Sequence, residues 1–209
     1  MRLIYFTDPM CSWCWGFSPV LQRLIAETDP RPDVHVVAGG LYPNQNAPVS
    51  PERRAAMPEL WGRVAEVTGQ TFNPPKWADD FCYNTEPACR ALVCAREIAP
   101  DDSLEFLEAL HRAFYVEGRD ITQADELHQC YRTFRPDQAG DFESLFESKF
   151  IRRQTWTDFE YTREVLGVAS FPTLVGELGG RLHKLSPGYN DFEDVKSLLD
   201  IARERARQA

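Results

Sequence analysis

Two cysteines near the start of the chain have the spacing of a reactive dithiol. Cys11 and Cys14 are separated by Ser12 and Trp13, and such a CxxC pair forms either half of a zinc site or a redox centre. Zinc needs two further ligands at a set spacing, usually a second CxxC or a histidine pair. The other cysteines, at 82, 89, 94 and 130, and the histidines, at 35, 111, 128 and 183, show no such spacing. The pattern therefore favours thiol–disulfide exchange, and no metal is expected.

The place of the pair on the chain points the same way. The apolar run Leu3–Phe6 predicts a buried strand and the pattern from Ser12 to Glu27 predicts a helix, so the cysteines fall at a strand-to-helix junction. Unpaired N–H groups and the positive end of the helix dipole stabilise a thiolate there. We expect Cys11, at the helix entry, to be exposed and to act as the nucleophile. We expect Cys14, one turn further, to be shielded and to resolve the mixed disulfide.

The secondary structure that the sequence predicts around this pair changes along the chain from strands to helices and back to strands. Val34–Ala38 predicts a second strand, after which the stretch 42–150 shows no two-residue alternation. Its first part is expected to be loop-rich, because six of the fifteen prolines lie at 43, 48, 51, 58, 74 and 75. Helical stripes fill the rest. Strands return at Thr173–Val175 and Leu182–Leu185, which flank Gly179-Gly180 as in a hairpin.

Four segments carry the residue types that begin helices. Thr85-Glu86-Pro87 places a proline in a first turn, where it is tolerated. Asp102-Ser103-Leu104-Glu105 resembles a capping box. Thr155-Trp156-Thr157-Asp158 predicts the start of a helix that ends at Gly167, and Asn190 is expected to cap the last helix.

Composition narrows the classes of protein. With 23 basic and 32 acidic residues the net charge is −9, and a surface of that sign repels phosphate backbones, so no nucleic-acid partner is expected. No run approaches the roughly 20 apolar residues of a membrane span, so no membrane association is expected. The apolar run Leu3–Phe6 is too short for the h-region of a signal peptide. We therefore expect a cytoplasmic protein, in which stable disulfide bridges are rare.

The motif and its surroundings resemble a known family. The run from Asp8 to Phe17, DPMCSWCWGF, follows a short strand as in the DsbA-like branch of the thioredoxin superfamily, and most resembles its cytoplasmic protein-disulfide isomerases. Ser170-Phe171-Pro172-Thr173 is similar to the cis-proline segment of thioredoxin folds. The resemblance implies an α/β, thioredoxin-like fold with a helical domain inserted after the second strand. It gives a thioredoxin-like domain at 1–41 and 151–209 and the inserted domain at 42–150.

The same resemblance implies a site. Cys11, Cys14 and Pro172 are the expected catalytic residues, with the Phe171–Pro172 bond in the cis form. Trp13 and Phe171 are the expected substrate-binding residues, and Phe171 should present its carbonyl and ring beside Cys11. The expected partners are thiols and disulfides of proteins or peptides. No bound cofactor is implied, although glutathione is a possible redox partner.

The sequence departs from the better-known periplasmic oxidants at the dipeptide between the cysteines. Those proteins carry Pro-His, whereas this chain has Ser12-Trp13, so we expect a less oxidising couple. Kappa-class glutathione transferases and chromene-carboxylate isomerases typically carry serine where Cys11 stands, which argues against that branch. A glutathione-dependent transferase or isomerase of that type, and a holdase-like binding module that uses the apolar surface of the insertion, remain the two alternatives.

Other residues admit two interpretations each. Asp8 either accepts a proton from Cys14 or caps the turn, and Trp15 either lines the substrate site or packs in the core. Cys94 and Cys130 share apolar helical stripes and are expected to be packing residues. The remaining thiols, Cys82 and Cys89, form either a second redox pair or no pair.

Overall fold

Four strands form one sheet in the computed structural model, which describes residues 1–165 and 167–208. The strands are β1 (Arg2–Thr7), β2 (Asp33–Ala38), β3 (Thr173–Leu178) and β4 (Arg181–Pro187). Their order in the sheet is β2-β1-β3-β4. The β1–β2 pair is parallel, whereas β3 runs antiparallel to both β1 and β4. The predicted strands and the C-terminal hairpin are therefore confirmed.

Helices account for most of the remaining chain. They are α1 (Ser12–Glu27), α2 (Pro51–Thr68), α3 (Glu86–Ile98), α4 (Ser103–Tyr115), α5 (Ala124–Phe134), α6 (Ala139–Phe146), α7 (Lys149–Glu160) and α8 (Phe192–Gln208). Short 3₁₀ turns at Pro100–Asp102 and Pro136–Gln138 precede α4 and α6, and a π-helical turn, Tyr161–Val165, follows α7. Among the described residues, no helix combines the length and the apolar character that crossing a bilayer requires.

The sheet separates two apolar cores because successive side chains of a strand point to opposite faces. Leu3 and Tyr5 of β1 belong to a large core that continues among the helices. Ile4 and Phe6 belong to a smaller core on the other face, with Val37, Val168 and Val175. The strand that leads to the cysteines is thus fixed on both faces. This arrangement is the predicted α/β, thioredoxin-like fold.

The proline-rich stretch is more regular than the sequence suggested. An 18-residue helix, α2, occupies Pro51–Thr68, so the expectation of a loop there is wrong. Pro51 stands in the first turn, where its missing N–H breaks no helical bond, and the Ser50 hydroxyl accepts the Arg53 N–H at 3.3 Å. Burial of Met57, Trp61 and Val64 on one face stabilises the helix despite its internal proline.

The predicted helix starts are confirmed only in part. The α4 helix begins at Ser103 with Asp102 as its N-cap, as predicted, but the Asp102 side chain makes no capping bond, and the Ser103 hydroxyl donates to the Pro100 carbonyl at 2.7 Å, because a 3₁₀ turn leads into the helix. The helix predicted to start at Thr155 begins at Lys149, where Ser148 accepts the Ile151 N–H, and it ends at Glu160 rather than Gly167. Leu166, inside the predicted helix, lies outside the described residues.

The last helix begins one residue later than expected. Asp191, not Asn190, accepts the Asp194 N–H at 3.0 Å, while the Asn190 amide donates to the Ser186 hydroxyl. The start near Thr85 is correct, since α3 begins at Glu86 with a proline in its first turn.

A buried ion pair joins the helices to the sheet. The Arg96 guanidinium on α3 donates to both oxygens of Asp158 on α7, at 2.7 and 3.1 Å, and to the Val36 carbonyl of β2 at 2.7 Å. Asp158 also accepts the Ala38 N–H at 2.8 Å. The division into domains at 1–41, 42–150 and 151–209 stays a prediction.

Candidate active site

Cys11 lies between β1 and α1, directly before the first residue of the helix. Its backbone is extended, with φ −94° and ψ 114°, and its carbonyl accepts the N–H groups of Cys14 and Trp15 at 3.0 and 3.1 Å. Cys11 is therefore the N-cap of α1. The Cys11 side chain makes no capping hydrogen bond, and the first turn of the helix contains no acidic side chain to offset the positive end of the dipole at Cys11.

The Cys11 thiol is less accessible than the sequence suggested. Its exposed fraction is 6%, and that of Cys14 is 0%, so the expectation of an exposed Cys11 is wrong although it remains the more accessible of the two. The covering group is the segment before β3. Cys11 Sγ lies 3.7 Å from the Phe171 carbonyl oxygen, within the range of a weak S–H···O bond. Both cysteines are free thiols.

The Phe171–Pro172 peptide bond is cis, in agreement with its expected geometry. The carbonyl of Phe171 points to Cys11, but its ring turns to the small core formed around Ile4 and Phe6. The ring packs directly on Gly39, where a Cβ atom would stand 2.2 Å from it. The expected place of the Phe171 carbonyl beside Cys11 is confirmed, whereas the place of the ring beside Cys11 stays a prediction.

The two tryptophans of the motif have different surroundings. Trp13 is half-buried, and its ring centroid lies 5.3 Å from that of Tyr189, in the loop between β4 and α8. That loop is tied to the cis-proline, since the Gly188 N–H donates to the Pro172 carbonyl at 2.7 Å. Trp15 is buried, and its indole N–H donates to the Thr71 carbonyl at 3.1 Å. Trp15 is thus a core residue that anchors α1.

Cys14 lies in a closed polar environment. Burial, and then the neighbouring Cys11, raise the pKa of the Cys14 thiol, while the Thr7 hydroxyl and the Asp8 backbone N–H lower it in part. The Tyr5 hydroxyl donates to the Cys14 carbonyl at 3.5 Å. A thiol of this kind is protonated at rest and becomes reactive only when a neighbour stabilises its thiolate.

Asp8 is directed away from Cys14. Its carboxylate is fully buried and accepts the N–H groups of Met10 at 2.8 Å and Leu41 at 2.7 Å. The Cys89 thiol donates to the same carboxylate at 3.3 Å. Burial raises the pKa of Asp8, although the two backbone N–H bonds oppose that rise. Of the two interpretations, these contacts favour the one in which Asp8 organises the turn.

Comparison with known proteins places this geometry in a family. A family model described as thioredoxin matches residues 5–176. The chain belongs to the thioredoxin family. Within it, a Nitrosomonas europaea protein provisionally described as a protein disulfide isomerase is 34% identical, and the two structures superpose over 98% of each chain with a TM-score of 0.87.

Two further groups of similar proteins were found. The cytosolic disulfide reductase DsbM from Pseudomonas aeruginosa is 24% identical over the whole of both chains, with a TM-score of 0.77, and a structure of DsbM with GSH is equally similar in fold. The ClpXP adapter protein SpxH of Halalkalibacterium halodurans is 22% identical over 84% of this chain. The chain spans about 58% of the length of that curated relative. The solved neighbours are DsbA-family oxidoreductases, so the predicted resemblance is confirmed.

The four other thiols of this thioredoxin-family chain are free and differ in their surroundings. Cys94 and Cys130 are buried as predicted, and burial raises the pKa of their thiols to about 12 and about 11. Cys89 bonds to Asp8, whereas Cys82 is half-buried and its thiol donates to the Asp80 carbonyl at 3.4 Å. Within the part of the chain that the structure describes, no three His, Cys, Asp or Glu side chains are grouped to hold a metal ion.

Sequence reasoning missed two neighbours of the thioredoxin-family motif. Tyr189 follows the hairpin with no periodic pattern around it, so only the fold brings its ring to Trp13. Thr7 is the last residue of β1. Because alternate residues of a strand share a face, the sequence could have placed the Thr7 and Tyr5 side chains together on the Cys14 side of β1.

Proposed function

We propose that this chain is a thiol–disulfide oxidoreductase in which Cys11 forms mixed disulfides with protein or peptide substrates and Cys14 resolves them. The observation that carries the proposal is the position of Cys11, which caps α1 and lies 3.7 Å from the Phe171 carbonyl beside the cis Pro172. The helix end favours a thiolate, and the carbonyl lies where an extended substrate would pass. The DsbA-like neighbours support the general reaction class.

The exchange proceeds in two thiol–disulfide steps. The Cys11 thiolate attacks one sulfur of a substrate disulfide, a Cys11–substrate S–S bond forms, and the second substrate sulfur leaves as a thiolate. Cys14 then attacks the Cys11 sulfur, the Cys11–Cys14 bond forms, and the first substrate sulfur leaves. The reverse sequence oxidises a dithiol or, with partial reversal, isomerises a disulfide. Pro172 has no N–H, so its strand end leaves neighbouring backbone groups for the substrate.

We propose glutathione as the small-thiol redox partner of this protein. We also propose that the protein is located in the cytoplasm. Both proposals are supported by DsbM, which is described as cytosolic and has been solved with GSH. Cys11 and Cys14 are both present, which favours a dithiol exchange over the transferase alternative, whose members typically carry serine at the position of Cys11. Neither a metal nor a bound organic cofactor enters the proposed steps.

Trapping of substrates tests this proposal. In Cys14→Ala, Cys11 should capture disulfide-bonded partners as covalent adducts that reductant releases, whereas Cys11→Ala should capture none. Cys130→Ala is the matched control, because it removes a buried thiol far along the chain and should turn over a peptide disulfide at the parent rate. Parent-like turnover by Cys14→Ala would contradict the dithiol mechanism and favour the glutathione-dependent alternative.

An adaptor function is a second candidate, since the curated relatives are ClpXP adapter proteins. It requires a protein partner that is bound without thiol exchange. A Cys11→Ala/Cys14→Ala double variant separates the two functions, because an adaptor would retain its partner and an oxidoreductase would lose it.

A further inference from the structure

The resolving step raises a question that the motif alone does not answer. Cys14 must attack as a thiolate, yet it is completely buried and burial raises the pKa of its thiol. A group that donates a hydrogen bond to the Cys14 sulfur would favour the charged form. The search for this group rests on the proposed function, since only a dithiol mechanism requires Cys14 to react.

The ionisable neighbours do not supply such a donor. The Asp8 carboxylate is occupied by the N–H groups of Met10 and Leu41 and by the Cys89 thiol. His111 packs against Trp15, and burial lowers its pKa to about 3, so its imidazole is neutral. The Tyr5 hydroxyl donates its proton to the Cys14 carbonyl.

Thr7 is the remaining candidate. Its side chain is completely buried, and its hydroxyl oxygen has no hydrogen-bond partner among the described residues. A buried hydroxyl without a partner costs about 1–3 kcal/mol, and such groups in native structures call for an explanation. The alternation of β1 places Thr7 on the same face as Tyr5, which reaches Cys14. The Thr7 hydroxyl also lowers the pKa of the Cys14 thiol.

The backbone holds Thr7 in this place. Its carbonyl accepts the Gly39 N–H at 2.7 Å, which fixes the end of β1 against the end of β2. Cys14 is fixed in turn by the first turn of α1, through the bond from its N–H to the Cys11 carbonyl. The backbone positions of both Thr7 and Cys14 are therefore fixed by hydrogen bonds.

We propose that Thr7 is a positioning residue for the resolving step, and that its hydroxyl, unpaired when Cys14 is a thiol, donates a hydrogen bond to the Cys14 sulfur as that sulfur becomes a thiolate. In this step the Cys14 sulfur attacks the Cys11 sulfur, and the bond from Cys11 to the substrate sulfur breaks. The proton of the Cys14 thiol ends on the departing substrate thiol. The Asp8 backbone N–H, which also favours the Cys14 thiolate, shares this task.

Single-turnover kinetics separate this role from a merely structural one. Reduced protein is mixed with excess peptide disulfide, quenched with acid and analysed by intact-mass spectrometry, which gives one rate constant for capture by Cys11 and another for resolution by Cys14. In Thr7→Val, which keeps the shape but lacks the hydroxyl, resolution should slow about tenfold, the equivalent of one hydrogen bond to a charged group. Capture should change less than twofold, so the mixed disulfide accumulates.

Two matched variants complete the test. Thr7→Ser keeps the hydroxyl and should restore resolution to within about threefold of the parent. Thr155→Val makes the same substitution at another completely buried threonine, whose hydroxyl bonds to the Ile151 carbonyl within α7, and should leave both rate constants unchanged. If Thr7→Val does not fold, Thr7→Ala removes the same hydroxyl without adding bulk.

Three results would overturn the role of Thr7. They are resolution within twofold of the parent in Thr7→Val, equal slowing in Thr7→Ser and Thr7→Val, and a parallel loss of capture and resolution. A parent protein that captures no peptide through Cys11 would instead contradict the proposed function, and this outcome is distinguished by the absence of any mixed disulfide.

Discussion

Asp8 and Asp158 are both buried carboxylates, but their charges are compensated differently. Asp158 accepts two hydrogen bonds from the Arg96 guanidinium, at 2.7 and 3.1 Å, and one from the Ala38 N–H. Asp8 accepts backbone N–H groups and the Cys89 thiol, and no basic side chain pairs with it in the described residues. Burial accordingly raises the pKa of Asp8.

The difference separates a structural ion pair from the turn of the proposed reactive site. The Asp158–Arg96 pair joins α3 and α7 to β2, where a complete ion pair fixes the packing. The turn that carries Asp8 leads directly into Cys11. A basic side chain placed there would pair with Asp8 or with the Cys11 thiolate and would change the redox couple. The turn is instead held by hydrogen bonds that add no positive charge.

The same substitution at both carboxylates should therefore have unequal costs. Asp158→Asn leaves the buried Arg96 guanidinium without its counter-charge and should lower the free energy of unfolding by about 3–4 kcal/mol. Asp8→Asn removes one good acceptor from two backbone N–H groups and should cost about 1–2 kcal/mol. Urea unfolding of both variants at pH 7 measures the difference. Equal losses would show that the two carboxylates are not distinguished by their partners.

His111 extends the comparison to acid pH, because it is a further ionisable group beside the Asp8 turn. Burial lowers its pKa from 6.5 to about 3, so below pH 6.5 the unfolded chain binds a proton that the folded chain does not. Stability should thus fall as the pH decreases from 6.5 toward 3, by about 3 kcal/mol between pH 6.5 and pH 4 from this residue. His111→Phe should remove that part of the decrease.

Asp8 acts in the opposite direction in the same experiment. Its raised pKa means that the folded chain binds a proton above pH 3.8 that the unfolded chain has lost, so its contribution to stability increases as the pH falls. Urea unfolding of the parent and of His111→Phe at pH 7 and pH 4 isolates the histidine, since the Asp8 contribution is common to both. An unchanged slope in His111→Phe would mean that His111 takes up its proton without unfolding.

The sequence predicted most of what positions the site because those features are local. The run Leu3–Phe6, the helix from Ser12 and the glycine-centred hairpin each follow from periodicity and turn residues within a few positions. The α2 helix was missed because proline counts suggested a loop, whereas Pro51 lies in a first turn and the buried Trp61 face supplies the missing stability.

Features that depend on contacts between residues far apart in the chain could not be predicted from the sequence. The low exposure of Cys11 depends on Phe171, which is 160 residues away along the chain. The hydrogen bond between Cys89 and Asp8 joins residues 81 positions apart, and no sequence pattern around Cys89 predicts it. The direction of the Phe171 ring likewise depends on Gly39, which leaves room for it. Only the assembled sheet and helices determine these contacts.

The smallest expected effect concerns the reduction potential of the Cys11–Cys14 pair. Ser12-Trp13 supplies no cation to Cys11, and Asp8 adds a buried carboxylate near the same turn. We expect a potential between the thioredoxin value near −270 mV and the strong-oxidant value near −120 mV, in the more reducing half of that range. Equilibration against defined glutathione ratios, followed by alkylation and mass counting, measures it.

Trp13→His would give Cys11 the kind of cationic partner that Arg96 gives Asp158. An imidazolium beside the Cys11 thiolate stabilises the reduced form, so the potential should rise by about 20–30 mV, equivalent to about 1 kcal/mol for a two-electron couple. Trp13→Phe is the matched control, because it keeps an aromatic ring against Tyr189 without a charge, and it should leave the potential within about 10 mV of the parent. A parent potential near −120 mV, or a decrease in Trp13→His, would show that the dipeptide does not act through charge. An equal rise in both variants would instead attribute the change to the lost Trp13 packing.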